Sequence, residues 1–290
     1  MANNVWSDVS AIAQRIESDA IFVVRETNFL EPLVTVFRDM SGMNLRRGYV
    51  YNQASAVSIS DADDLTSASF APSADQTLTP YEIGLQFFIT DARAESELPE
   101  NIMADAAREL GFAAADKIMT DMVGDYTGMT GGTVGAAGSS ITWSYVGAGI
   151  AQARDANKSA SKPLAYVLHG NQWAVLAKAA NIAGASVSMV APNFQEDLTV
   201  RGGAASYCTT YMGVPIYQVF QDYDADIDFN GAIFPREALA IDWRRPVRVE
   251  AQRNASRRGW ELNMSAIYDT GIWRPDRGIS MLFDAAKPTA

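Results

Sequence analysis

Within residues 46–92, apolar and polar positions alternate in two stretches, which is the spacing of a half-buried β-strand. The spacing predicts a first strand near 47–60 and a second near 81–89, joined by a polar loop at 61–76. A two-stranded hairpin is only marginally stable by itself in water. The pattern therefore predicts an arm that needs a covering surface, either the body of its own chain or a neighbouring copy. Its alternating apolar residues are Tyr49, Tyr51, Val57 and Ile59, then Tyr81, Ile83, Leu85, Phe87 and Ile89.

A long amphipathic helix is predicted after the arm, because apolar residues recur at steps of three and four from Leu98 to Met122. Charged residues occupy much of the remaining helix surface. Ser96 is expected to cap the N-terminus of this helix, and Gly124 is expected to end it. One face of the helix should therefore lie on a core.

The segment that follows mixes helical and strand patterns, which predicts an inserted α/β unit. A Gly-rich stretch at 128–140 is expected to be a flexible connector. The predicted elements of the inserted unit are helices near 144–156 and 171–180 and strands near 164–168 and 214–220.

Alternation returns near the C-terminus and predicts a long antiparallel hairpin, with strands around 247–251 and 260–268 joined by a turn. A short last strand is expected at 278–282, and a short helix is predicted at 9–24. The apolar faces of the C-terminal hairpin and of the long helix can cover one another. The fold class is therefore predicted to be α+β, with the middle unit inserted between the helix and its sheet.

Charge is unevenly distributed along the chain, whose formal net charge is −11. Residues 1–235 hold 13 Lys and Arg against 27 Asp and Glu, whereas residues 236–277 hold nine Arg against six acids. The acidic bulk lacks the many cationic phosphate contacts that wrapping on nucleic acid requires. The first residues show no basic segment followed by an apolar run, so no signal peptide is expected.

Residues with catalytic potential are few and isolated. His169, the only histidine, follows a predicted strand and has no nucleophile motif nearby, so a structural role is expected. Cys208 is expected to be a small buried thiol. The Gly-rich stretch lacks the Gly-Lys-Ser/Thr of a phosphate loop, and the alternating aspartates at 222–228 lack the Gly and Glu of a calcium loop. The sequence therefore predicts no catalytic residue, metal site or cofactor.

Two groups of charged residues are candidates for contacts between subunits. Arginines cluster in the C-terminal hairpin and at the start of the arm, and arginine favours bidentate contacts with carboxylates. Acids in the arm's loop are their expected partners on a neighbouring copy. A solvated strand face is the alternative, and the interspersed Glu250 disfavours contact with DNA. The candidates are Arg46, Arg47, Asp61, Asp63, Asp64, Arg244, Arg245, Arg248, Arg257 and Arg258.

Several short stretches are similar to those of tailed-bacteriophage major capsid proteins, which have the Hong-Kong-97-type fold. Leu-Thr-Pro at 78–80 leads into a strand, and Tyr-Val-Leu-His-Gly-Asn-Gln at 166–172 precedes a helix. Met-Gly-Val-Pro-Ile-Tyr stands at 212–217, and the strand from Trp260 ends in Tyr-Asp-Thr-Gly at 268–271. The order of these stretches and of the predicted elements resembles that family over nearly the whole chain.

The resemblance implies an N-arm, an extended β-loop, a peripheral domain of spine helix and β-sheet, and an inserted α/β axial domain. The loop contains no Lys, so the isopeptide cross-link of some family members is expected to be absent. The corresponding segments are the N-terminal arm at 1–45, the extended β-hairpin loop at 46–92, the spine helix within 93–140, the axial domain at 141–235 and the peripheral-domain strands at 236–290.

The resemblance also implies a function without catalysis, namely a self-assembling subunit of an icosahedral head shell, assembled in the host cytoplasm and located in the virion. Its expected partners are further copies in pentamers and hexamers, a separate scaffolding protein and a portal, while a decoration protein stays open. Packaged double-stranded DNA would be enclosed without specific binding, and no membrane is involved. The alternatives are an encapsulin-type shell around an enzyme cargo and, from another class, an α/β enzyme with a defined pocket.

Overall fold

Strands and helices make up most of the computed structural model, which describes residues 29–51, 56–61, 64, 67, 72–96, 102–159, 161–182, 206–220 and 228–287. The strands are β1 (Thr35–Phe37), β2 (Arg46–Tyr51), β3 (Pro72–Leu78), β4 (Tyr81–Thr90), β5 (Thr133–Gly135), β6 (Leu164–His169), β7 (Tyr207–Tyr211), β8 (Val214–Val219), β9 (Asp228–Pro235), β10 (Leu239–Asn254), β11 (Gly259–Ile272) and β12 (Ile279–Asp284). The helices are α1 (Asp91–Ser96), α2 (Ile102–Gly124), α3 (Trp143–Ala156) and α4 (Gly170–Ile182), and 3₁₀ turns lie at Glu31–Leu33, Asp125–Gly128 and Pro275–Arg277.

A four-stranded sheet in the order β1-β10-β11-β4 is covered on one face by α2. Strand β1 runs parallel to β10, and the other neighbours are antiparallel. Every second residue of β11 from Leu262 to Tyr268 is buried, and α2 presents its own apolar stripe at four-residue spacing. Burying one Leu or Ile side chain contributes about 1.5–3 kcal/mol, so this layer is a principal source of stability. The predicted hairpin and long helix are confirmed; their buried residues include Leu110, Ala114, Ile118, Met122, Leu262, Met264, Ala266 and Tyr268.

A six-stranded mixed sheet in the order β5-β12-β9-β6-β8-β7 forms the second layer. Helices α3 and α4 pack on one face through residues such as Ile150 and Leu176. Val167 and Phe234 of the same sheet pack into the core beneath α2, so the two cores share this sheet. Every residue of β6 is buried, as expected for a central strand covered on both faces.

The last strand lies in the six-stranded sheet and not beside the C-terminal hairpin. Strand β12 pairs antiparallel with β9 and parallel with β5. After β11 the chain therefore returns to the inserted sheet. The expectation that all strands of 236–290 belong with the hairpin is wrong for Ile279–Asp284, because a short apolar run does not reveal which sheet it joins.

The pairing predicted for the arm is also wrong. Strand β2 pairs with β3 in a two-stranded sheet of its own, whereas β4 pairs with β11 along its whole length. Strand β3 contains Asp75, Gln76 and Thr77 and lies within the segment predicted as a loop and its flank. Backbone hydrogen bonds to β2 hold this strand. Its sequence shows no alternation of apolar and polar residues, so the pattern could not predict it. We define the β-arm as β2, β3 and the residues between them.

Ser96, the predicted N-terminal cap of the long helix, does not stand at the start of that helix. Ser96 ends the short helix α1, and α2 begins at Ile102. Thr90, the last residue of β4, accepts a hydrogen bond on Oγ1 from the N–H of Arg93 at 3.3 Å, which is the geometry of an N-terminal cap. The expected end of the long helix at Gly124 is confirmed.

The Gly-rich stretch is an ordered edge of the six-stranded sheet and not a flexible connector. Strand β5 pairs in parallel with β12 within this stretch. Gly135 has a φ of +91°, and a Cβ there would lie 2.3 Å from the carbonyl oxygen of Leu282. A Cβ at Gly131 would lie 2.6 Å from the carbonyl oxygen of Gly278. Glycine is needed because two backbones approach this closely.

Some predicted features lie outside the described residues. These are the helix at 9–24, Asp63 and most of the aspartates of 222–228. Asp228 is described; it begins β9, and its carboxylate accepts the N–H of Gly138 at 2.8 Å. Among the described residues, no helix is both long and apolar enough to cross a membrane.

Candidate assembly surface

The outward face of the β-arm exposes large apolar side chains. Tyr49 and Tyr51 lie on the same face of β2 and are 55 % and 45 % exposed. Further along the arm, Val57 is 80 % exposed and Ile59 is 52 % exposed. Isolated apolar residues on a surface need no explanation, but four on one projecting hairpin indicate an interaction surface.

The opposite face of the arm packs on the four-stranded sheet at the arm's root. A Cβ at Gly48 would lie 2.4 Å from the ring of Trp273, so only glycine lets β2 lie this close to that ring. On the other strand, Leu78 is 2 % exposed and its side chain reaches the backbone of Gly271. The root is therefore docked on the body, while the outer part of the arm is exposed.

Arg46 ties the first strand of the arm to β10. Its Nε and Nη2 donate to the two carboxylate oxygens of Asp242 at 3.0 and 3.3 Å. Nη2 also donates to the exposed Asp39, and the guanidinium lies 4.3 Å from the centre of the Phe37 ring. Asp242 is fully buried, and a buried carboxylate requires such partners.

Arg244 is the second cation on Asp242. Its Nη2 donates to Asp242 Oδ2 at 2.6 Å and to the carbonyl oxygen of Asn44 at 2.9 Å. The side chain of Arg244 has no exposed surface, and its Nε and Nη1 have no hydrogen-bond partner. Within the single chain, the buried Arg244 is thus paired with Asp242. Its predicted contact with a neighbouring subunit stays a prediction.

Asp269 ties the second strand of the arm to β11. Its Oδ2 accepts the N–H of Thr79 at 2.5 Å, directly after β3 ends. Asp269 stands opposite Asp242 in the β10–β11 pairing. Burial raises the pKa of Asp269 to about 6, and the charges of Asp242 and Asp121 add to this effect, whereas the N–H groups of Thr79 and Thr270 oppose it.

A second carboxylate cluster lies where α2 meets the same sheet. The hydroxyls of Tyr81 and Tyr268 donate to Asp121 Oδ2 at 2.5 and 2.7 Å, and Lys117 pairs with the other oxygen of that carboxylate. One turn later, burial raises the pKa of Asp125 to about 7, with smaller contributions from the charges of Asp269 and Asp121 and opposition from a hydrogen bond with Thr270. The Oδ2 of Asp125 has no hydrogen-bond partner.

The other predicted contact residues do not join Arg46 and Arg244. Arg245 pairs with Glu82 and donates to Ser265 Oγ at 3.1 Å. Arg248 pairs with Glu250, and Arg257 lies 4.2 Å from the centre of the Phe88 ring. The remaining described candidates are exposed and widely spaced: Arg47, Asp61, Asp64 and Arg258, the last in a turn with a φ of +50°.

The residues that organise the root were not identified from the sequence. They are Asp242, Asp269, Thr79, Phe37 and Trp273. One signal was available, because Asp242 interrupts the apolar run Leu-Ala-Ile-Asp-Trp at 239–243. An acid within an apolar strand must find a buried partner. The identity of that partner, Arg46, depends on a contact across 196 positions of sequence and could not be read from the pattern.

The residues weighed for catalysis have structural surroundings. His169 is buried at the end of β6, and its Nδ1 accepts the N–H of Asn171 at 3.1 Å. Burial raises the pKa of the Cys208 thiol to about 12, which leaves it protonated and poorly nucleophilic near neutral pH. Within the described residues, no group of three His, Cys, Asp or Glu side chains could hold a metal ion.

A groove of about 530 Å³ lies between α2 and the end of β8. Its lining is largely aromatic and apolar, with Phe112 50 % exposed and Phe220 64 % exposed. Two acids, Glu109 and Asp116, lie at its edge. Neither His169 nor Cys208, the two residues weighed for catalysis, lines this groove.

Solved structures with a similar path of the chain are shells of phages and related particles. The cyanophage Pam1 capsid gives a TM-score of 0.65 at 10 % identity, covering 91 % of this chain and 94 % of that one. The acidic stable capsid of Helicobacter pylori bacteriophage KHP30 gives 0.63 at 12 % identity, over 87 % and 88 %. A virus-like particle from Pyrococcus furiosus gives 0.60 at 10 % identity, over 92 % and 98 %.

No protein-family model matches the sequence, and no curated protein is significantly similar to it in sequence. At such low identity, the structural similarity concerns the fold. It extends over both sheets, because about nine-tenths of each chain is covered. The chain has the α+β Hong-Kong-97-type fold of tailed-phage capsid proteins.

Proposed function

We propose that this chain is a major capsid protein, the self-assembling subunit of an icosahedral shell around the DNA of a tailed phage. The observation that carries the proposal is the β-arm, whose root is docked on the body while Tyr49, Tyr51, Val57 and Ile59 are exposed. The fold supports it, because the similar solved structures are named as capsids and particles. In this role the chain performs no catalysis and is located in the virion.

Assembly would proceed by covering each arm with a neighbouring copy. Burial of apolar surface releases about 25 cal/mol per Å², so four large side chains on one arm offer several kcal/mol before the cost of association. A contact between two different surfaces repeats from copy to copy and forms a ring where the rotation between copies closes. We propose rings of five and six that form a closed shell, assembled in the host cytoplasm.

The proposed domains of the shell subunit follow the two sheets. The N-arm would be 1–45, the four-stranded sheet and α2 the peripheral domain, and the six-stranded sheet with α3 and α4 the axial domain. Exposed Arg47, Arg248, Arg257 and Arg258 remain candidates for contacts with acids such as Asp61 and Asp64 of a neighbour. Exposed ion pairs contribute less than about 1 kcal/mol each, so they would orient subunits more than hold them.

The proposed partners outside the subunit are a separate scaffolding protein and a portal. The net charge of −11 supports a shell that encloses DNA without binding it specifically. An encapsulin-type shell is less well supported, because several of the compared structures are named as phage capsids. Nucleic acid in purified particles supports the phage shell, whereas an enzyme cargo supports the alternative.

The decisive experiment removes the outer arm and keeps its root. Tyr51 is the register partner of Pro72, so residues 52–71 can be replaced by a two-residue Asn-Gly turn. We expect a soluble subunit with unchanged circular dichroism that forms no closed particles in electron microscopy, under conditions in which the full chain forms them. Closed particles of normal diameter from this variant would contradict the proposal.

A further inference from the structure

Two acids at the root of the β-arm are arranged in a way that should lower the stability of the sheet. Asp242 and Asp269 stand directly opposite each other on β10 and β11. Like charges at directly opposed positions destabilise a sheet. Each of the two acids binds one strand of the arm, because Asp242 holds Arg46 and Asp269 holds the N–H of Thr79. The pair therefore acts on both strands of the arm at the point where they leave the body.

The two attachments differ in kind. The bond from Thr79 to Asp269 uses the backbone between β3 and β4, and β4 is paired along its whole length with β11. This side of the root is fixed to the sheet. The Arg46 side is held by side chains: Arg46 reaches Asp242 Oδ1 at 3.3 Å, and Arg244 donates at 2.9 Å to the carbonyl oxygen of Asn44, two residues before β2. A movement of the arm would therefore pivot at Thr79 and open at Arg46.

Asp242 and Arg46 would each keep a second partner if they separated. Arg46 already contacts Asp39, whose side chain is 69 % exposed, so the guanidinium keeps an acid as it moves outward. Arg244 already contacts Asp242 Oδ2, and its Nε and Nη1 are buried without partners. Breaking a buried ion pair normally leaves one charge unpaired. Here Asp242 would keep Arg244.

We propose that Asp242 and Asp269 position the β-arm. We further propose that Asp242 can release Arg46 while it keeps Arg244, so that the arm opens about the Thr79 side. The purpose of this movement rests on the proposed function, since subunits in rings of five and six present their arms to neighbours at different angles. The exchange itself is a property of the single subunit.

The experiment measures amide hydrogen exchange of β2 and β3 in the isolated subunit. Arg46→Gln removes the exchangeable partner, and we expect arm amides to exchange on the order of tenfold faster or more, with the thermal unfolding midpoint of the body unchanged. Arg244→Gln removes the resident partner of Asp242, and we expect the opposite pattern: a lower midpoint, with a smaller rise in arm exchange than in Arg46→Gln, because Arg244 reaches only Asn44 beside the arm. Arg47→Gln is the matched control on the outer face of the same strand and should alter neither quantity.

Equal arm exchange in Arg46→Gln and Arg47→Gln would overturn the positioning role of Asp242. A fall in midpoint for Arg46→Gln as large as that for Arg244→Gln, or failure of Arg46→Gln to fold, would show that Arg244 cannot hold Asp242 alone and would overturn the exchange. Arg46→Lys keeps one charge without the two-pronged contact and should give intermediate arm exchange. Failure of the full chain to form shells would sink the proposed function and leave these exchange rates unaffected.

Discussion

The β-arm and the β10–β11 hairpin are both antiparallel pairs that carry large apolar side chains, but only one of them is covered. Leu262 and Tyr268 of the hairpin have no exposed surface, because α2 lies over them. Tyr49 and Val57 of the arm are 55 % and 80 % exposed. Alternation reports which face of a strand is apolar and does not report what covers it. In this chain the uncovered pair is the one we expect to meet a second copy.

The hairpin should lose the most stability when its apolar face is cut back. Leu262→Ala removes a fully buried side chain beneath α2 and should lower the free energy of unfolding by about 3 kcal/mol. Denaturant unfolding of the isolated subunit measures this loss. A loss below about 1 kcal/mol would mean that α2 does not depend on that face.

The carboxylate beneath the hairpin should make stability depend on pH. The pKa of Asp125 is raised from its ordinary value of 3.8 to about 7 in the folded state, so folding binds a proton there. Stability from this group is present at low pH and is lost as pH rises from about 4 to about 7. At pH 8 the free energy of unfolding of Asp125→Asn should therefore exceed that of the unchanged chain by about 2 kcal/mol. The gain is smaller than the full pKa shift implies, because the carboxyl is not fully excluded from water.

The gain in Asp125→Asn should vanish toward pH 4, where the acid is protonated in both states. Asp61→Asn, which removes one carboxylate from the exposed arm, is the matched control. A gain that is the same at pH 4 and pH 8 would assign it to packing rather than to charge.

The root of the arm should tolerate no extra atom. Gly48→Ala places a methyl group within 2.4 Å of the Trp273 ring, so the strand or the ring must move, at a cost of about 1–2 kcal/mol. Faster hydrogen exchange in β2, with β10 and β11 unchanged, would locate this cost in the arm. Unchanged exchange in β2 would contradict the close packing at the root.

The outer arm should show the smallest effect on the single subunit. Tyr49→Ser should change the free energy of unfolding by less than about 0.5 kcal/mol, because its ring is largely exposed. The same change should raise the protein concentration needed for particles about tenfold, since burial across copies is lost. Tyr49→Phe keeps the apolar ring and is the matched control. Equal assembly of the Ser and Phe variants would remove Tyr49 from the interface.

The sequence predicted the covered parts of the molecule better than the uncovered ones. Helix α2 and the β10–β11 hairpin have regular apolar spacing, because each faces a core along its length. Strand β3 was missed because Asp75, Gln76 and Thr77 carry no such pattern. The attachment of Arg46 to Asp242 was missed because register and long-range contacts decide it. Clusters of arginines in a sequence suggest contacts between subunits, but an acid within the same chain can bind the same arginines, as Asp242 does.

Amide hydrogen exchange of the outer arm, compared between isolated subunits and assembled particles, measures directly whether a neighbouring copy covers the arm. Residues 56–61 should exchange rapidly in the subunit and at least about 100-fold more slowly in particles, while β10 and β11 are equally protected in both. Particles in which the arm exchanges as rapidly as in the single subunit would contradict the claim that a neighbouring copy covers it.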